Sequence, residues 1–373
     1  MVAASLRTEH PISWRLAAIV AAASLLLTLA APVAARNPNG ENTYAVANLV
    51  SDVPGMATFT DPNLVNAWGI SASGGSPWWV ANNHTDTSTL YNGAGVAFPP
   101  PPNGPLVVSV PGGPTGTVFN FGMAGFDVTG TLGTGSARFL FATEGGQVLG
   151  WNPTATGTSA VAGFTASDGA IYKGLAIGMD GGGWHLYAAD FHNAKVDVLD
   201  SSFALDDDQS KFVDPGIPAG FAPFGIQNLN GHIFVTYAKQ DADAEDEIAG
   251  GGLGFVSMFG TDGSFEGRVF SHGMLNAPWG LAWAPSDFGK FSGDLLVGNF
   301  GNGRINAFAW TPDGWDARGP VKGADHRPIS IDGLWGIGFG NGALSGPTNV
   351  LYFAAGPDDE NHGLFGSITA LSS

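Results

Sequence analysis

The chain has 373 residues, with 57 Gly, 24 Pro and no Cys, and sets 14 Lys plus Arg against 32 Asp plus Glu for a net charge of −18. An acidic balance of this size argues against nucleic acid as a partner, because binding to phosphates rests on clustered basic residues. It argues equally against an anionic membrane surface. The absence of Cys removes disulfides, thiolate zinc sites and thiol catalysis. Abundant Gly with only 12 % charged residues suits short strands joined by tight turns, and neither helices nor disorder.

In chain order, residues 1–35 read as a signal peptide. Arg7 and Arg15 begin it, LAAIVAAASLLLTLAAPVAA (16–35) supplies the apolar run, and Val33-Ala34-Ala35 places small residues for cleavage after Ala35. The competing reading is an uncleaved anchor, since the run approaches spanning length. After cleavage no membrane span is expected, and residues 36–373 are expected to form one domain.

The rest of the chain repeats. The anchor glycines Gly69, Gly174, Gly225, Gly280 and Gly336 recur at intervals of 105, 51, 55 and 56 residues, each in an apolar run that leads into a strand, a polar loop and a second strand. The first interval spans two periods, and GTVFNFGMAGFDV (116–128) with ARFLFATE (137–144) fills it. A period near fifty built of short strands is the signature of a β-propeller, one four-stranded blade per copy. The expected fold is therefore all-β, a six-bladed propeller, with seven blades as the competing count.

With strands lettered A to D from the channel outward, blade 1 takes A near 67–72, B near 77–82, C near 88–92 and D near 105–110. Blade 2 takes GTVFN, ARFLFATE, QVLGWN and AVAGFT. Blade 3 takes KGLAIG, WHLYAAD, KVDVLD and a short D near 211–213. Blade 4 takes FGIQNL, HIFVTYAK, GFVSMFG and FEGRVFS, and blade 5 takes WGLAWA, DLLVGNF, RINAFAW and a weak D near 317–322. Blade 6 takes WGIGFG, VLYFAAG and LFGSITAL and lacks an outer strand. TYAVANLVS (43–51) is spare and is expected to supply it, which removes an exposed edge and closes the ring. The residues before the anchor glycines, Trp68, Phe224, Trp279 and Trp335, read as wedges between blades. A ligand-stacking ring of aromatics is the other reading.

Antiparallel blades place the starts of A strands and the ends of B strands on one face, around the channel. The polar residues there include Asn82, Asn83, His84, Asp86, Glu144, Asp190, His192, Asp241, Asn299, Asp358 and His362, joined by Asn66, Lys173, Asn276 and Asp332 before the A strands. Carboxylate and amide oxygens are hard ligands, so this rim points to a divalent cation, Ca²⁺, with Glu144, Asp190, Asp241, Asn299 and Asp358 as candidate metal ligands. Asn83, His84, His192, Lys173, Asp332 and His362 are the candidate ligand-binding face. The same residues also suit solvated turns, which favour Asp and Asn. KQDADAEDEIAGGGLG (239–254) begins like a calcium loop but lacks the Gly and Glu that such a loop requires at its sixth and twelfth positions. No G-x-S-x-G elbow, H-E-x-x-H helix or P-loop occurs.

YAVANLVSDVPGMATFTDPNLVNAWGIS (44–71), SPWWVANNHTDTSTLYNG (76–93), YAKQDADAEDEIAG (237–250), NAPWGLAWAP (276–285) and GDLLVGNFGNGRINAF (293–308) are the clearest of the segments that resemble a family of bacterial exported proteins of unspecified activity. The resemblance runs along nearly the whole chain after residue 35. It implies a six-bladed propeller akin to the NHL-repeat and TolB-like groups, and it brings no catalytic residue. The expected function is a secreted or periplasmic module that binds an extracellular ligand or protein on the A-start/B-end face. The alternative is a calcium-dependent hydrolase of the lactonase or gluconolactonase type, with the metal at the channel mouth.

Overall fold

A computed structural model describes residues 43–371, except Pro101, Asp207 and Gln209. Residues 1–35, where the signal peptide is expected, lie outside the described residues. Six small, largely antiparallel sheets hold nearly all of the described strands. Their innermost strands are Ala67–Ser71, Pro114–Phe119, Tyr172–Asp180, Phe221–Leu229, Pro278–Trp283 and Leu334–Phe339. Each lies against the next around a central channel, and the last lies against the first, so the ring closes at six blades.

Closure at this radius depends on one small residue per blade. A Cβ on Gly69 would fall 2.5 Å from the carbonyl oxygen of Thr115 in the next blade. On Gly280 it would fall 2.5 Å from that of Trp335, and on Gly336 2.6 Å from that of Trp68. Gly116, Gly174 and Gly225 meet the backbone of the following blade in the same way. Backbone cannot yield as a flexible side chain can, so the repeat keeps Gly where neighbouring A strands touch.

The ring is also sealed at its outer edge. Tyr44–Ser51 pairs antiparallel with Leu364–Ala370 and becomes the fourth strand of the sixth blade, with Phe59–Thr60 added parallel to its end. The central strands are buried on both faces, as in Trp78–Asn82, Phe139–Thr143 and Leu295–Asn299, because each sheet packs on the blade before it and the blade after it, with an apolar cluster in each gap. Among the described residues no helix is long and apolar enough to cross a membrane.

Two details differ from the sequence expectation. The outer strand of blade 3 is Leu205–Asp206, paired with Val198 and Leu199, and not 211–213. The latter segment is a turn whose Phe212 packs on Tyr187 and Phe259. Blade 2 carries an inserted hairpin, Asp127–Gly130 with Gly133–Ser136, between its A and B strands.

Candidate functional site

The residue before each close-contact glycine lies on the innermost strand of its blade, beside the channel. Around the ring these six residues are Trp68, Thr115, Lys173, Phe224, Trp279 and Trp335. Four aromatics from blades 1, 4, 5 and 6 thus meet at the centre. Trp68 and Trp335 stack at 3.6 Å between centroids, Trp279 stands edge-on to both, and Phe224 and Phe300 cover Trp335. Contacts such as Trp68 with Trp279 join non-adjacent blades, so these rings plug the channel and do not simply wedge neighbouring blades apart.

Blades 2 and 3 break the aromatic pattern. Thr115 is small and binds the carbonyl of Tyr172, and Lys173 is charged. The plug therefore has a polar notch on one side, and Lys173 stands in it, only 1 % exposed. Its ammonium donates to Glu144 at 2.5 Å and to Asp246 at 3.0 Å and lies 5.3 Å from the Trp68 ring centroid. The indole N–H of Trp279 donates to the Lys173 carbonyl from across the ring. Burial alone would push the lysine toward neutrality; the facing carboxylates overrule it and hold its pKa above the ordinary lysine range.

Above this floor opens a polar mouth of about 340 Å³. Asn66, Asn83 and His84 come from blade 1, Glu144 from blade 2, Glu245, Asp246 and Glu247 from the acidic loop of blade 4, and Glu360 from blade 6. Among the described residues no cation is in contact with Glu247 or Glu360, and Glu360 is hydrogen-bonded to Asn66. Burial pushes the Glu247 carboxyl up to about 8 and that of Glu360 up to about 7. Glu360 is the third of three successive left-handed residues, Asp358, Asp359 and Glu360, at φ 60°, 50° and 65°. Such a turn costs on the order of 1 kcal/mol per non-Gly residue. Here it delivers a carboxyl to the mouth.

The candidate metal ligands are dispersed. Of Glu144, Asp190, Asp241, Asn299 and Asp358, only Glu144 faces the mouth, and it accepts from Lys173 and from the Asn83 amide at 2.8 Å. Asp190 is fully buried and accepts from Asn193 and from the backbone N–H of Ile171. Asp241 accepts the backbone N–H of Glu245 within its own loop. Asn299 donates to the Met274 carbonyl and accepts from the N–H of Asn276. The backbone N–H of Asp358 donates to Asp332. Among the described residues no group of three or more His, Asp or Glu could hold a metal ion.

Of the candidate ligand-binding residues, Asn83, His84 and Lys173 meet at the mouth. His192 pairs with the Ala244 carbonyl at 3.2 Å, Asp332 is spent on Asp358, and His362 pairs with Asp52 at 2.8 Å in the segment after the closing strand. Asp246, Glu247 and Glu360 were legible only as charge runs. Their signal was position, at the ends of the B strands of blades 4 and 6.

The fold and site define an acidic six-bladed propeller with a charged mouth over an aromatic plug. The chain belongs to the same family as two proteins of Acanthamoeba polyphaga mimivirus, "Uncharacterized protein R648" and "Uncharacterized protein L690". It is 34 % identical to the first over 87 % of this chain and 80 % of that protein, and 33 % identical to the second over 87 % and 86 %. These relatives are viral, and nothing found ties the chain to the bacterial family it resembles. No protein-family model matches. Among solved structures, a streptogramin B lyase aligns with 98 % of its length and 88 % of this chain, at 14 % identity and a TM-score of 0.50. The soluble aldose sugar dehydrogenase of Escherichia coli aligns over 100 % and 88 %, at 14 % identity and a TM-score of 0.53. At that identity the likeness establishes the six-bladed fold alone.

Proposed function

We propose that this chain is an exported binding protein whose polar mouth takes a small organic cation, an ammonium or a guanidinium. One observation carries the reading. A single buried cation, Lys173, faces four carboxyls from three blades, Glu144, Asp246, Glu247 and Glu360, of which only two bind it. The other two are pushed toward protonation by burial and have no partner charge, so a cation entering the mouth would find acceptors already placed. The dispersal of the candidate metal ligands favours an organic cation over Ca²⁺. Aromatic rings beneath the carboxyls add the face that alkylammonium and guanidinium groups prefer.

Binding a cation favours ionised Glu247 and Glu360, so affinity should rise as pH passes from about 6 to about 8.5, with proton release on binding. Calorimetric titration of the protein with an alkylammonium, an alkylguanidinium and calcium chloride tests the reading. The expected result is one site for an organic cation, weakened about tenfold or more by Asp246→Asn, a loss of at least about 1.4 kcal/mol. No binding by either organic cation sinks it. Calcium binding with chelator-sensitive melting would put the calcium-dependent hydrolase in its place.

A further inference from the structure

The opposite end of the channel has the reverse chemistry. Where A strands end and B strands begin, a funnel of about 470 Å³ opens to solvent and narrows to a throat of about 20 Å³ at the ring of glycines. That volume falls in the range of small-molecule sites. All six blades contribute to its wall, and in a chain of net charge −18 not one lining residue is charged. Trp78, Phe119, Trp184, Trp283 and Phe339 line it, one from each of five blades, while Phe121 stands at the rim, 57 % exposed and edge-on to Phe119. These side chains are held in place. The Trp78 indole donates to the Ser345 carbonyl, and Trp283 packs against Trp315.

The hydroxyl and amide groups of the wall are nearly all used. Ser71 and Thr117 bind each other at 3.2 Å, Asn228 binds the Ile177 carbonyl, and Asn341 binds the carbonyls of Ser73 and Ser76. Gln227 differs. It lies on the innermost strand of blade 4, lines both funnel and throat, is exposed, and its amide has no hydrogen-bond partner among the described residues. A rigid, uncharged, aromatic-walled funnel with one free amide near its base fits one kind of occupant.

We propose that this funnel is a second binding site, for an uncharged, largely apolar molecule that carries aromatic rings and one hydrogen-bonding group to meet Gln227. A charged molecule would lose its hydration with nothing to replace it. An apolar one removes the exposed aromatic surface from water at no polar cost. The site is independent of the polar mouth, from which the aromatic plug separates it.

N-phenylnaphthylamine, an uncharged aromatic with a single N–H, is the probe. Its fluorescence should rise saturably with one probe bound per chain. Gln227→Trp, which fills the base of the funnel, should weaken binding about tenfold or more, and Phe121→Ala, a change at an exposed rim position, should weaken it a fewfold. Asp246→Asn at the other mouth should leave it unchanged. Circular dichroism melting confirms that each variant folds, and should Gln227→Trp not fold, Phe121→Ala decides. Non-saturable binding, or affinity unchanged by the folded funnel variants, overturns the proposal. So would a concentration-dependent dimer that excludes the probe, because a second copy would then be the occupant.

Discussion

At the scale of single residues, the chemistry depends on which side chain precedes the close-contact glycine in each blade. Trp68, Phe224, Trp279 and Trp335 make that position a plug, and Lys173 turns the same position into a charge. Burying an ammonium is tolerable only with carboxylates in contact, and Glu144 and Asp246 provide them. Glu247 and Glu360 then face the same centre with no contacting cation among the described residues, and the consequence is a pH dependence whose sign follows from linkage. Their folded pKa values, about 8 and about 7, lie above the ordinary 4.5 of a glutamate. The folded chain therefore holds protons that the unfolded chain releases, and the stability they contribute is complete below about pH 4.5 and lost as pH rises through 7 and 8. Carboxylates of the opposite kind, such as Asp168 held low by the hydrogen bond from Lys195, act in a separate window below the usual Asp value of 3.8. Melting temperatures between about pH 5 and pH 8.5 should thus fall for the native chain and fall less for Glu247→Gln, whose amide imitates the protonated acid. Equal slopes for the two proteins would show that Glu247 is ionised across this range.

At the scale of elements, the closing strand is the part of the fold with most to lose. Tyr44–Ser51 is the first of the described strands and completes the last blade, so the ring is held shut by a contact between segments more than 300 residues apart in sequence. Tyr44 anchors it. The side chain is 1 % exposed, its ring lies 4.9 Å from Phe288 and 6.0 Å from Phe291, and its hydroxyl donates to the Phe288 carbonyl at 3.0 Å. Tyr44→Ala should lower the unfolding free energy in guanidinium by about 3–5 kcal/mol, through a cavity and an orphaned carbonyl together. Tyr44→Phe, which keeps the ring, should cost about 1 kcal/mol. A loss below about 1 kcal/mol for Tyr44→Ala would mean that closure does not depend on this anchor. The spare strand was legible because an apolar alternation near one end matched a blade one strand short at the other. The hairpin at 127–136 was not, because GTGS carries no alternation of apolar residues and its pairing rests on turn glycines such as Gly133. The outer strand of blade 3 was misplaced for a related reason. Two residues, Leu205 and Asp206, are too few for periodicity to register, whereas KFV looked like a strand and is apolar because Phe212 is buried.

At the scale of the whole molecule, the repeat made the ring legible, and the departures from it hold both sites. The face carrying the polar mouth could be named from strand order alone, because antiparallel blades send the starts of A strands and the ends of B strands the same way. Which of its many polar residues converge could not, since convergence depends on loop conformation: Asp190 turns inward to bind Asn193, while Glu360 is carried to the axis by a left-handed turn that no periodicity marks. The apolar funnel was hidden for another reason, as its residues read as ordinary core of A and B strands, and only the ring's geometry leaves them facing open space. The same architecture constrains processing. Cleavage after Ala35 would leave residues 36–43 ahead of Tyr44 and spare the closing strand, whereas a cut beyond Tyr44 would remove its anchor and open the sixth blade. The sequence expectation, from the small residues at 33–35 and the apolar run before them, is the first of these cuts. Expressed in an exporting bacterial host, the protein recovered outside the cytoplasm should therefore begin at Arg36 by intact-mass and N-terminal analysis. Recovery with residues 1–35 attached would replace export with an uncleaved anchor, and a start beyond Tyr44 would show that the ring closes without its first strand.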